Sequence, residues 1–180
     1  MNHLLIVVDM QNDFIDGSLG TKEATEIIPN VVKKINEYQE AGNQIVFTMD
    51  THKEDYMDTM EGKKLPIIHC IKDTYGWNIC DEIQRNFNLE QYKIYTKNTF
   101  GSSELARDLL NGVYNDVTLV ELIGICTDIC VISNALLVKT FLPNIPIIVD
   151  ASCCAGVSKN SHINALEAIK MCHIDIIGEI

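Results

Sequence analysis

Positive charge is what this chain has least of. Across 180 residues, 14 lysines and arginines stand against 25 aspartates and glutamates, a formal net charge of −11. A surface that acidic repels phosphate backbones and anionic headgroups, which excludes nucleic acid and the membrane surface as main partners. No apolar run approaches the ~20 residues that span a bilayer. The apolar start of the chain breaks off at Asp9, too soon for a secretory leader. Seven cysteines are present, an odd number without framework spacing. A disulfide-stapled secreted fold is therefore not expected, and a reducing cytoplasm is. Nor does any linker, composition shift, internal repeat or low-complexity tract divide the sequence.

What is there suits one globular domain over residues 1–180, with 47% apolar and 22% charged residues. Short β-rich runs are predicted at 4–8, 44–49, 92–96, 117–123, 145–149 and 174–177. Helical periods are predicted at 25–41, 81–87, 102–110, 128–141 and 161–172. In the first helix Ile27, Ile28, Val31, Val32, Ile35 and Tyr38 share one face. Strands that are near-continuous Val/Ile/Leu runs, alternating with helices, indicate a parallel sheet buried on both faces. The expected fold class is therefore α/β: one three-layer domain, a six-stranded parallel sheet with helices on both faces. Residues 51–76 show no sustained period, and a connection of that length is expected to carry function.

In such sheets ligands bind beyond the carboxyl ends of the strands. Asp9, Asp50, Lys97 and the run Gly124-Ile125-Cys126-Thr127-Asp128-Ile129-Cys130-Val131 all follow predicted strands. Cys130, on a strand-to-helix turn, lies near backbone N–H groups with no helical partner, a setting that depresses a thiol's pKa toward the reactive thiolate. A buried, inert cysteine is the bland alternative. An acidic residue after a strand is often only a cap or turn former. Four strand ends that supply two carboxylates, an amine and a thiol are harder to dismiss. A second cluster comes from Asp50-Thr51-His52 and His69-Cys70. Asp and His two apart on extended chain project to one side, and an N/O donor set suits Zn²⁺, Fe²⁺ or Mn²⁺.

Three motifs in sequence order, Val7-Val8-Asp9-Met10-Gln11-Asn12-Asp13-Phe14, Lys97-Asn98-Thr99-Phe100 and the 124–131 run, resemble the isochorismatase-like cysteine hydrolases over nearly the whole chain. The resemblance implies a six-stranded parallel sheet and an Asp9–Lys97–Cys130 triad. It also implies an oxyanion hole from the backbone N–H groups of Cys126 and Cys130, with a cis peptide before Cys126. Within that family the second cluster is similar to nicotinamidases. This implies metal ligands at Asp50, His52 and His69, with Glu61 as a further carboxylate and Asp55 and Asp58 as rivals. Zinc is the leading ion, with iron or manganese as alternatives. Phe14 takes the place of an aromatic that contacts the substrate ring. The implied activity is hydrolysis of nicotinamide to nicotinate and ammonia, within NAD salvage, by a homo-oligomer.

Two departures bear on the substrate. Leu65-Pro66-Ile67-Ile68 precedes His69 where nicotinamidases carry an aromatic-proline pair, and Thr51 stands where Trp is common. A stacking wall is therefore missing, or is replaced by Trp77 or Tyr75 from nearby. The alternatives are a hydrolase of another small amide, such as a ureido or carbamoyl compound, or a silent family member acting as a binding subunit. A thiol-redox protein fits worse, because Cys126 and Cys130 lack Cys-x-x-Cys spacing. The other cysteines read as structural. So do His3, His162 and His173, which have no partner visible in the sequence.

Overall fold

The computed structural model describes residues 2–178. Strand β1 (His3–Val8) shows why the sheet forms where it does. Leu4, Ile6 and Val8 enter one apolar core, Leu5 and Val7 enter the other, and all five are completely buried. A strand apolar on both faces is stable only between two covering layers. Those layers are built by α2 (Lys22–Glu26), α3 (Ile28–Glu40) and α5 (Asp81–Asn86) on one face. On the other lie α6 (Ser103–Leu110), α7 (Ile132–Phe141) and α8 (Lys159–Met171). Short α1 (Asn12–Ile15) adds Phe14 and Ile15 to the core beneath α2, α3 and α5, and α4 (Met60–Lys64) contributes to neither core.

The remaining strands are β2 (Gln44–Asp50), β3 (Lys93–Lys97), β4 (Leu119–Ile125), β5 (Ile147–Ala155) and β6 (Asp175–Ile177). They run in the order β3-β2-β1-β4-β5-β6, and every pairing is parallel. The order reverses between β1 and β4, and at such a switch point the flanking loops part to leave a crevice at the carboxyl edge. The expected three-layer α/β fold is the observed one. Among the described residues no helix is long and apolar enough to cross a membrane.

Four local expectations are corrected. The helix expected over 25–41 is two helices that meet at Ile27, because Pro29 has no N–H to donate and opens the first turn of α3. The helix expected from residue 128 begins as a π-turn over Thr127–Val131, closed by the Val131 N–H on the Cys126 carbonyl at 3.0 Å. β4 reaches Ile125, since Gly124 (φ +119°) lets the chain pass Val8; a Cβ there would lie 2.1 Å from the Val8 carbonyl oxygen. β5 does not stop at Val149. Its pairing shifts from Leu122↔Val149 to Gly124↔Cys154, so Asp150 starts a bulge and the strand resumes with Cys153 and Cys154 inside it.

Candidate active site and metal-ligand cluster

Three strand ends deliver the buried ions. Asp9 follows β1 with φ +49°, a left-handed backbone that Asp tolerates better than most residues. The conformation turns its carboxylate inward, where it is fully buried. Thr48 Oγ1 donates to Asp9 Oδ1 at 2.5 Å, and Lys97 Nζ meets Oδ2 at 2.5 Å. The same ammonium lies 3.5 Å from Asp50 Oδ1 and 3.5 Å from Cys130 Sγ. Asp9, Lys97 and Cys130, expected as a set from scattered motifs, are thus in mutual reach. The Ile125–Cys126 peptide is cis.

The electrostatics correct one expectation. Burial, and then the Asp9 carboxylate, push the Cys130 thiol well above its ordinary value, against the pull of Lys97. A turn position promised a depressed pKa, but burial at 6% exposure outweighs it. Burial raises Asp9 as well, opposed by Lys97. Burial alone would lower Lys97, yet Asp9, Cys130 and Asp50 together raise it.

Asp50 joins two clusters. Its Oδ2 lies 2.9 Å from His52 Nε2 and 3.4 Å from His69 Nε2, and Glu61 Oε1 lies 3.8 Å from His52 Nε2. All four ligand atoms fall within 4.8 Å of one another. Donors about 2.1 Å from a shared ion stand roughly 3.0–3.4 Å apart, so the spacing suits one divalent cation. His52 Nε2 is buried without an aligned hydrogen bond despite the nearby carboxylate, as expected of two donors that converge on a third body. The Ile67 carbonyl, 2.8 Å from His69 Nδ1, turns Nε2 toward the cluster. Asp55 and Asp58 are exposed and take no part.

Aromatic rings back the histidines. Phe14 tilts against His69 with centroids 5.6 Å apart. Tyr56, which carried no role in the sequence reading, packs on both imidazoles at 4.6 and 4.9 Å. Burial, then Glu61 and Asp50, push its phenol up to about 12. Trp77 donates its indole N–H to Thr51 Oγ1 at 2.9 Å, so a tryptophan does reach the Thr51 position by another route. Tyr75 points outward at 63% exposure.

Sequence reasoning also missed the polar clamps. Gln11 accepts from the Asp50 N–H at 2.7 Å and donates to the Asp50 and Trp77 carbonyls at 2.8 Å each. Asp13 accepts from the Cys70 N–H at 2.7 Å, beside His69. Fully buried Asn134 bonds the Cys130 and Phe100 carbonyls and the Ser102 N–H, tying α7 to the segment after Lys97. A polar Gln-Asn-Asp run behind an apolar strand was the available signal for the first two. Asn134, four residues after Cys130, had none. The Cys126 side chain is half-buried.

The family model described as the isochorismatase domain matches residues 3–178. A nicotinamidase of Saccharomyces cerevisiae is 32% identical over 120 residues, 52% of this chain and 55% of that protein. A probable inactive nicotinamidase of Arabidopsis thaliana is 28% identical over 167 residues, 86% of this chain and 82% of that protein. The crystal structure of the pyrazinamidase of Pyrococcus horikoshii in complex with zinc superposes with a TM-score of 0.82 at 29% identity. That match covers 99% of this chain and all of the other. The chain belongs to the isochorismatase domain family of hydrolases.

Proposed function

We propose that the protein is an amidohydrolase that cleaves a small carboxamide through a Cys130 thioester, with nicotinamide as substrate and nicotinate and ammonia as products. One observation carries this reading. One ammonium, Lys97, touches both the Asp9 carboxylate and the Cys130 thiol, one carboxylate away from a cluster of two imidazoles and Glu61.

The chemistry follows from the charges. Asp9 takes the thiol proton as Cys130 Sγ attacks the amide carbon, and the carbonyl π pair moves onto oxygen. The N–H groups of Cys126 and Cys130 receive that oxyanion. Asp9 returns the proton to nitrogen, the C–N bond breaks and ammonia leaves. Water then attacks the thioester, Asp9 accepts its proton and Sγ departs with the C–S pair. Lys97 keeps Asp9 usable as a base despite complete burial.

Asp50, His52, His69 and Glu61 would hold the divalent ion, zinc first and iron or manganese behind it. When bound, that ion supplies a Lewis-acid position for a heteroaromatic ring nitrogen. Phe14, against His69, would contact the ring face. The zinc complex of the Pyrococcus horikoshii pyrazinamidase supports this assignment. The exposed Ile67 and Ile68 ahead of His69 favour a second reading, an aliphatic or carbamoyl amide, because no aromatic wall stands there.

The test is ammonia release from nicotinamide, pyrazinamide and an N-carbamoyl amino acid, with and without a chelator. Nicotinamide should be turned over and Cys130→Ala should lose about a thousandfold or more. His52→Ala should lose bound metal while Cys130 stays open to alkylation. Undiminished ammonia release by Cys130→Ala would sink the mechanism. Turnover of the carbamoyl compound alone would move the substrate to the second reading.

A further inference from the structure

The turn that carries Cys126 and Cys130 is gripped from two sides, and one grip ends on a histidine with no role in the reaction above. Asn134 holds the Cys130 carbonyl from the α7 side. From the other side, Thr127 Oγ1 shares a 2.7 Å hydrogen bond with His162 Nδ1. Both carboxylate oxygens of Asp128 accept from the Val157 N–H at 3.2 Å. Thr127 is completely buried, so its hydroxyl would be costly to leave unpaired.

The partner is rigidly placed. His162 lies in the first turn of α8, whose start is fixed by a reciprocal capping box between Ser158 and Ser161. Gly156 lets the end of β5 come close, since a Cβ there would lie 2.9 Å from the His162 Cβ. Burial lowers His162 from its ordinary value against the pull of Asp128, which favours the neutral ring and a directional bond to the hydroxyl. His162 also lines a cavity of about 630 Å³ shared with residues of α2, β5 and α8, so substitutions at 162 have room.

We propose that His162 is a positioning residue that acts through Thr127 to fix the direction of the Cys126 and Cys130 N–H groups, and so the stability of the oxyanion. This rests on the cysteine-nucleophile reading given above. The effect is on acyl transfer and not on thiol reactivity as such, because alkylation of a thiol forms no oxyanion. Misaiming donors without removing them should cost less than the hundredfold or more that follows loss of one donor.

Two reagents separate these effects without reference to the natural substrate. p-Nitrophenyl acetate acylates Sγ: the S–C bond forms through a tetrahedral oxyanion and p-nitrophenolate leaves. Iodoacetamide alkylates Sγ directly and iodide leaves. Peptide mass spectrometry reads labelling of Cys130 in both arms. Thr127→Val and His162→Leu should each slow acetylation about tenfold and alkylation less than about twofold. The double variant should be no slower than either single one, since both remove the same bond. His162→Asn, which places a polar atom near the Nδ1 position, should recover most of the rate.

Unchanged acetylation in His162→Leu would overturn the proposal. So would equal slowing of both reagents, which marks a general loosening, or losses that multiply in the double variant. Absence of Cys130 labelling in the unsubstituted protein would overturn the nucleophile reading and this proposal with it, and that outcome is distinct from the other three.

Discussion

Two lysines in this molecule stand between pairs of buried carboxylates, and their surroundings differ. Lys34, on α3, lies 2.7 Å from Glu121 and 3.0 Å from Asp150, in the middle of β4 and β5. Tyr38 donates to Glu121 at 2.7 Å, and the Ser152 N–H and hydroxyl donate to Asp150 at 3.0 and 2.6 Å. Lys97 lies at the strand ends, between Asp9 and Asp50. Its neighbours are the Cys130 thiol and, across Asp50, two imidazoles, one with a buried nitrogen lacking an aligned hydrogen bond. In both clusters an ammonium meets the inner carboxylate oxygen as an ion pair. The cost of burying the charges is similar in kind. The Lys34 cluster saturates its charges with hydroxyl and amide donors and pins a helix to the sheet. The Lys97 cluster places its charges beside groups that can transfer a proton or hold a metal. Mid-strand placement yields a brace, and placement at the switch point yields a candidate site.

The sharpest way to break that comparison is to neutralise one carboxylate in the Lys97 cluster, the upper of the two, with the Lys34 cluster below it in the sheet. Asp9→Asn keeps the shape and the Thr48 contact but removes the proposed base. Ammonia release should fall about a thousandfold, within the range general acid–base groups contribute. Lys97 keeps Asp50 at 3.5 Å as a remaining counter-charge, so the loss of fold stability should be the smaller of the two effects. A large loss of stability with turnover nearly kept would make Asp9 a brace like Glu121.

The converse substitution belongs to the lower cluster. Lys34→Met fills similar volume and leaves Glu121 and Asp150 facing each other without a counter-charge. Lys34 retains some solvent contact, with its side chain 17% exposed, so the expected loss is about 2 kcal/mol, short of a fully buried pair. Turnover per folded molecule should stay at the unsubstituted level. Urea unfolding and active-site titration measure the two quantities separately, and a tenfold fall in kcat would show that the brace reaches the site.

The upper cluster was legible in the sequence and the lower one was not. Asp9, Asp50, Lys97 and Cys130 each follow an apolar strand, and a parallel sheet gathers strand ends at one edge whatever the details of packing. Glu121 sits inside a run of Leu and Val, and nothing local says that Lys34, on another element, comes to meet it. The same limit hid the Thr127–His162 contact, 35 residues apart in the chain. Errors of length had local causes that were visible but outweighed by periodicity, as with Pro29 inside an otherwise continuous helical pattern. The Cys130 thiol was misjudged for a different reason. Its place on a turn is readable from pattern, but its burial against Asp9 is set by the fold as a whole.

The smallest expected effect concerns the sign of pH dependence in the lower cluster. Burial would raise Asp150, but hydrogen bonds from Ser152 and Lys34 and the Lys34 charge together hold it below its ordinary value. A carboxyl depressed in the folded state stabilises the fold above its unfolded pKa of about 3.9, and that contribution is lost as pH falls through the folded value. Lys34 is raised, so its contribution is complete below about 10.4 and is lost only in stronger base. Between roughly pH 5 and 9 the pair should therefore be insensitive to pH. Asp150→Asn keeps an acceptor for Ser152 but gives up the charge, at a cost of about 1 kcal/mol near pH 7. Urea unfolding of both proteins at pH 7, 5 and 3 should show that gap constant over the first two values and narrowed at the third. Most of the 25 acidic residues titrate alike in the two proteins and cancel in the difference. A gap that stayed constant to pH 3, or widened, would mean that the Asp150 charge does not support the brace.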